Sequence, residues 1–116
     1  MRISMRRGDI KYVRFLVNDP NGTATDVDFT EIYFTVKKRP SDKLFCFQKR
    51  LSTGGIEKLD IGDYQIKIEP QDTGKMVAPF DYVFDVQLDY KNLIKETFVG
   101  DFALKTEVTY PENERS

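Results

Sequence analysis

Asp81-Tyr82-Val83-Phe84-Asp85-Val86-Gln87-Leu88-Asp89 decides the reading of this chain. Tyr82, Phe84, Val86 and Leu88 fall on one side of an extended strand. Asp81, Asp85, Gln87 and Asp89 fall on the other. Side chains alternate across a strand with a period of two, so this is a strand with one face buried and one face wet. The same period recurs in both directions. Upstream, Tyr64, Ile66 and Ile68 alternate with Asp63, Gln65 and Lys67; Ile32, Phe34 and Val36 alternate with Tyr33, Thr35 and Lys37. Val13, Phe15 and Val17 alternate with Arg14 and Leu16, and Ile3 and Met5 with Arg2, Ser4 and Arg6. Downstream, Lys95–Leu104 puts Phe98, Phe102 and Leu104 on one face. A fourth strand is expected over Leu44–Arg50 and a last short one over Glu107–Tyr110.

Turn chemistry separates these runs. Asp19-Pro20-Asn21-Gly22 is a β-turn signal, because Pro presets φ at its second position and Gly eases the exit. Ser52–Gly55 marks another turn. Lys37–Asp42 and the stretch near Tyr90–Asn92 are polar connections. Pro70–Pro79 is irregular, with one helical turn expected at Pro70–Thr73, where Pro suits a first-turn position. No stretch of any length shows a 3.6-residue period. Seven or eight short strands punctuated by turns predict an all-β fold, an antiparallel β-sandwich, with a barrel as second choice. The expected core is Phe15, Phe34, Val36, Ile66, Ile68, Phe84, Val86 and Phe98.

The 116 residues fit one domain, expected over residues 1–110, followed by a polar tail at 111–116. Hydrophobic residues make up 40% and charged residues 32%, a globular balance. Net charge is −1, which gives no global pull towards nucleic acid. The halves differ: residues 1–58 carry 12 Lys/Arg and 7 Asp/Glu, whereas residues 59–116 carry 6 and 12. Interleaving of both halves in one sandwich would cancel most of that field. Separation would leave a bipolar surface able to attract a second copy. Met1–Asp9 has no apolar core of a signal peptide, and no apolar run approaches the length of a membrane span. The expected partners therefore include neither nucleic acid nor membrane.

The residue inventory argues against catalysis. Histidine is absent, which removes the commonest general base and the commonest metal ligand together. The single Cys46 forms no internal disulfide and has no imidazole to activate it; its place in the apolar run Leu44–Phe47 predicts a buried, inert thiol. Asp81, Asp85 and Asp89 could serve as paired acid and base or hold calcium, but a solvated face paired with Lys67 or Lys95 across the sheet explains them as well. Asp60, Asp63 and Asp72 read as turn residues and match no calcium-loop spacing. Gly54-Gly55 lacks the following Lys-Ser/Thr and helix of a phosphate loop. Lys37-Lys38-Arg39, with Lys43, Lys49, Arg50 and Tyr33, reads as a solvated patch rather than a nucleic-acid surface. Arg7-Gly8-Asp9 matches an adhesion tripeptide and Asn21-Gly22-Thr23 a glycosylation acceptor; both are read as turn chemistry. No catalytic, cofactor-binding or metal residues are therefore assigned, and no cofactor is expected.

The order of landmarks adds a further indication. Met5-Arg6-Arg7-Gly8-Asp9 is followed by Val17-Asn18-Asp19 and the Asn21-Gly22 turn, then Asp28-Phe29-Thr30 and Ile32-Tyr33-Phe34-Thr35-Val36-Lys37. Ile68-Glu69-Pro70-Gln71-Asp72-Thr73, Tyr82–Val86, Thr97–Phe102 and Glu107-Val108-Thr109 complete the series. This layout resembles the N-terminal immunoglobulin-like domain of upper baseplate proteins from phages of Gram-positive bacteria, and small stand-alone prophage tail proteins made of that domain. The resemblance implies an immunoglobulin-like sandwich and a non-catalytic structural or assembly protein. Its partners would be other phage tail or baseplate proteins; weak self-association is a further expectation, resting on the charge difference between the halves and on the short terminal strands Arg2–Arg6 and Glu107–Tyr110 as sheet edges. It would be located in the host cytoplasm during assembly and in the virion tail afterwards. Long baseplate proteins carry a C-terminal extension that this sequence lacks, so receptor attachment does not transfer. The alternative is a stand-alone β-sandwich module binding carbohydrate or peptide.

Overall fold

The computed structural model describes residues 1–18, 21–22, 29–91 and 95–107. Eight strands and one helical turn follow in order: β1 (Arg2–Arg6), β2 (Lys11–Leu16), β3 (Phe29–Lys37), β4 (Phe47–Arg50), β5 (Ile56–Asp60), β6 (Asp63–Ile68), α1 (Pro70–Thr73), β7 (Phe80–Tyr90) and β8 (Lys95–Lys105). They form two sheets, one of five strands in the order β1-β8-β7-β3-β4 and one of three in the order β2-β6-β5. All pairings are antiparallel except β1 with β8, which run parallel. The larger sheet draws β1, β3 and β4 from the basic half of the sequence and β7 and β8 from the acidic half, so the two halves interleave.

The inward rows are the ones that alternation predicts. Ile32, Phe34 and Val36 on β3 stand beside Leu88, Val86 and Phe84 on β7, and all six are buried. Ile66 and Ile68 on β6 close the core from the smaller sheet. On the inner face of the larger sheet aromatic rings pack across strands: Phe34 lies 5.4 Å from Phe84 in a tilted pair, and Phe47 lies 6.0 Å from Phe102 edge to face, centroid to centroid. Such pairs add roughly 0.5–1.5 kcal/mol beyond their area. Phe15 is half-buried and stacks on Tyr64 at 5.4 Å.

Four expectations need correction. Phe98 is not core; it is 48% exposed although it points to the inner side opposite Val86. A three-stranded layer cannot cover the whole of a five-stranded one, and β1 shields β8 only over Asp101–Lys105. The fourth strand is shorter than Leu44–Arg50, because Leu44 and Phe45 leave the sheet and are exposed. Cys46 is exposed with them, not buried. The last correction adds β5, which sequence reading passed over because only Ile56 of its five residues is buried. The strand expected at Glu107–Tyr110 and the Asp19–Gly22 turn fall largely outside the described residues, as does Asn92; Glu107 itself follows β8 without strand structure.

Two local ties fix the chain between the sheets. Gly8 adopts φ +84° at the corner where β1 leaves one sheet and β2 enters the other, a conformation that glycine takes without steric cost. Its N–H donates to the Thr73 Oγ1 at 2.9 Å. Arg7 donates to both Glu107 carboxylate oxygens and, at 3.1 Å, to the Met76 carbonyl. The Arg7-Gly8-Asp9 tripeptide is thus a structural corner with its arginine engaged.

Candidate functional site

The flank of the sandwich between β2 and β8 is the least finished part of the fold. β2 pairs only with β6, so its outer edge carries unpaired backbone groups among the described residues. β1 pairs with β8 from Asp101 onwards, so Lys95–Gly100 of β8 is a second free edge among the described residues. Between these edges a cleft of about 420 Å³ runs inward. Val13 and Phe15 line one wall; Val86, Leu88 and Phe98 line the other; Phe34 lies at the bottom.

The mouth is polar on both sides. On β2, Arg14 forms a two-pronged ion pair with Asp63 of β6. On β8, the exposed Glu96 carboxylate accepts a hydrogen bond from the Tyr90 hydroxyl at 2.9 Å. The Tyr90 hydroxyl is raised above its ordinary pKa, first by burial and then by Glu96. Unpaired strand edges bordering apolar surface are the usual setting for strand addition or edge-to-edge association.

A second, polar groove of about 290 Å³ lies on the outer face of the five-stranded sheet, lined by Tyr33, Lys37, Lys43, Phe45, Gln48 and Asp85. Gln48 donates to the Thr35 hydroxyl at 3.0 Å, and Arg50 stacks over Tyr33 at 5.0 Å. Burial raises the Asp85 carboxyl above the usual carboxylate range, and nearby Lys37 partly offsets this.

The three outward carboxylates of β7 do not converge on one point. Asp81 reaches Arg2 at 3.7 Å, Asp85 faces Lys37, and Asp89 stands opposite Lys95 in register. Lys67 belongs to the other sheet and pairs with none of them. Asp63 binds Arg14, Asp72 binds Lys49 at 2.7 Å, and the Asp60 carboxylate accepts from the Ile61 N–H at 2.7 Å. No group of three or more metal-ligating side chains occurs among the described residues. Partial desolvation and the Asp42 charge raise the Cys46 thiol, the opposite of an activated nucleophile. The sequence suggests sheet edges at its short terminal segments, Arg2–Arg6 and Glu107–Tyr110; β1 does lie at an edge of the larger sheet, the second segment falls largely outside the described residues, and the bare stretch of β8 depends on where β1 stops.

Strand order defines the class of fold. β2-β6-β5 corresponds to strands B-E-D, and β8-β7-β3-β4 to G-F-C-C′, of an immunoglobulin-like β-sandwich. The Tyr82 hydroxyl donates to the Val77 carbonyl at 2.7 Å, forming the tyrosine corner of that architecture at the start of its F strand. Phe84 stands where antibody domains carry the second cysteine of the inter-sheet disulfide. Among solved structures the chain is similar to murine CRIg, at 12% identity and a TM-score of 0.48, over 91% of this chain and 92% of that one. No family model and no curated protein matches the sequence.

Proposed function

We propose that this domain is a non-catalytic assembly protein of a phage or prophage tail or baseplate, acting through protein–protein contacts. The observation that carries the contact-making part is the flank where two free strand edges border an apolar cleft. Immunoglobulin-like sandwiches with closed flanks do not need such a surface for stability, and its apolar lining is costly to leave wet. The tail context comes from the resemblance in the order of sequence landmarks. An inventory without histidine and with a single, unactivated cysteine agrees with a role in binding.

The test is affinity capture of the tagged chain from cells producing phage, with the bound proteins identified by mass spectrometry. Recovery of tail or baseplate proteins, lost on Phe98→Ser, is the expected result. Recovery of none would overturn the tail assignment.

The outer-face groove favours a second reading. Tyr33 and Phe45 offer aromatic surface beside the amide of Gln48 and the carboxylate of Asp85, a mixture suited to a saccharide. Glycan-array binding abolished by Asp85→Ala, without loss of stability, would favour that reading over assembly.

A further inference from the structure

We infer that the β2/β8 flank is completed by an extended strand donated by a partner protein, added antiparallel to β2 with alternate apolar side chains in the cleft. This rests on the assembly reading and names the kind of segment the partner contributes. The hydrogen-bond register identifies the backbone groups that would receive it. Lys67 stands opposite Tyr12, but its N–H donates away from β2, to the Gly55 carbonyl at 3.2 Å. Opposed residues of an antiparallel pair either both turn towards each other or both turn away. Tyr12 therefore points its N–H and C=O to the open edge, and by alternation so do Arg14 and Leu16. The Val17 N–H, one residue further on, donates inward to the Gly62 carbonyl at 2.7 Å, as that alternation requires. Every second residue of β2 thus offers an N–H and a C=O with no backbone partner among the described residues.

Beside strand B, an immunoglobulin-like sandwich ordinarily places a strand A, antiparallel to it. Here β1 turns aside to β8, so that position is open among the described residues. A strand added there would lie about 4.8 Å from β2, across the mouth of the cleft. Its alternate side chains would point inward between Val13 and Phe15 on one wall and Val86, Leu88 and the half-exposed Phe98 on the other. Its remaining side chains would stand beside Tyr12, Arg14 and Leu16 on the outer face, where Tyr12 is 55% and Leu16 61% exposed. Edge and hollow therefore select the same occupant, an extended segment of alternating apolar and polar residues. Ion pairs do not select it: Arg14 is held by Asp63, Glu96 by the Tyr90 hydroxyl, and Met1, with its terminal ammonium, lines the same cleft. Two copies joined β2 to β2 would form one continuous sheet, and their larger sheets, each reaching beneath the added strand as far as β8, would overlap. The donor is therefore a partner's segment and not the β2 of a second copy.

Nuclear magnetic resonance of the intact, isotope-labelled chain tests this. In the free protein the Tyr12, Arg14 and Leu16 amides should exchange with solvent many-fold faster than those of Val13 and Phe15. Equal protection would mean that the edge is already filled and would overturn the inference. The probe is a synthetic peptide alternating valine and threonine, with lysines at both ends for solubility. It should shift the β2 and Phe98 resonances with a dissociation constant below millimolar, and salt should change that little. The same peptide N-methylated at its threonines, whose amides face β2 in antiparallel pairing, should bind many-fold more weakly. Leu16→Pro removes one open-edge donor without touching the β2–β6 ladder, and Phe98→Ser strips the far wall; both should keep near-native circular dichroism and lose the peptide. No binding of the alternating peptide at millimolar concentration would overturn the inference, as would binding indifferent to N-methylation. Tail proteins captured equally by wild type and a folded Leu16→Pro would overturn it while leaving the assembly reading standing. Peptide binding without any tail protein captured would leave strand addition standing and remove the tail assignment.

Discussion

The Lys49 ammonium lies 2.7 Å from the Asp72 carboxylate, tying the edge strand β4 to the helical turn α1. The side chains are only 12% and 15% exposed. Asp72 also accepts the Glu69 N–H at 2.7 Å, so one carboxylate closes the turn and neutralises an inward-facing lysine. Removing one member of a buried pair costs about 3–5 kcal/mol, because the other is left charged without a partner. Residual exposure puts this pair at the lower end. Lys49→Ala should therefore reduce stability by about 3 kcal/mol in urea unfolding, and Lys49→Ala with Asp72→Ala together by less than the sum of the single changes.

Gly100 is expected to tolerate no side chain. A Cβ there would come 2.6 Å from the Met1 carbonyl oxygen and 2.7 Å from the Phe84 ring. That carbonyl accepts the Asp101 N–H at 3.1 Å, so relief of the clash must disturb the start of β1 or a core aromatic. Gly100→Ala should cost about 1–3 kcal/mol, as overpacking does. Thermal unfolding will measure it, and hydrogen exchange should show the loss of protection concentrated in β1.

Phe84 and Phe98 share one sheet face but should behave differently. Phe84 is buried against Phe34, and Phe84→Ala should cost about 3–5 kcal/mol. Phe98 is half-exposed at the mouth of the cleft, and Phe98→Ala should cost about 1 kcal/mol in the monomer. Equal losses in denaturant titrations would mean that the cleft is closed in solution.

Acid should loosen the corner where the first and last strands meet. The Arg7 guanidinium, hydrogen-bonded to Glu107, holds that carboxyl below the ordinary glutamate range. A carboxyl depressed on folding contributes fully above its unfolded pKa and loses that contribution as the pH falls through the folded value. The melting temperature of wild type should exceed that of Glu107→Gln at neutral pH, and the gap should close in acid below the ordinary glutamate range.

Asp85 should show the opposite sign. Burial raises its pKa on folding, so its ionisation weakens the fold as the pH rises from the ordinary aspartate range through the folded value. Asp85→Asn should be slightly more stable than wild type at neutral pH and indistinguishable in strong acid. Millimolar calcium should leave both melting temperatures unchanged, because a ligand bound only by the native state would raise them.

The alternation in β3, β6 and β7 made the layered all-β fold legible in the sequence, and with it the buried faces at Phe34, Ile66, Ile68, Phe84 and Val86. The period of two follows from local backbone geometry, so a linear reading recovers which face each residue takes. Whether that face is covered is a different matter. Phe98 obeys the same alternation as Phe102, yet Phe102 is fully buried and Phe98 is not. The difference is set by the length of β1 and the width of the smaller sheet, which only the assembled layers define. Leu44 and Phe45 read as strand by composition, but the sheet begins at Phe47, since pairing with β3 starts opposite Val36. The sequence determined the faces of β3, β6 and β7, because those depend on neighbours along the chain; the tertiary structure alone decided the extent of β4, the presence of β5, the open strand edges and the cleft, because those depend on which strands pair with and cover which others.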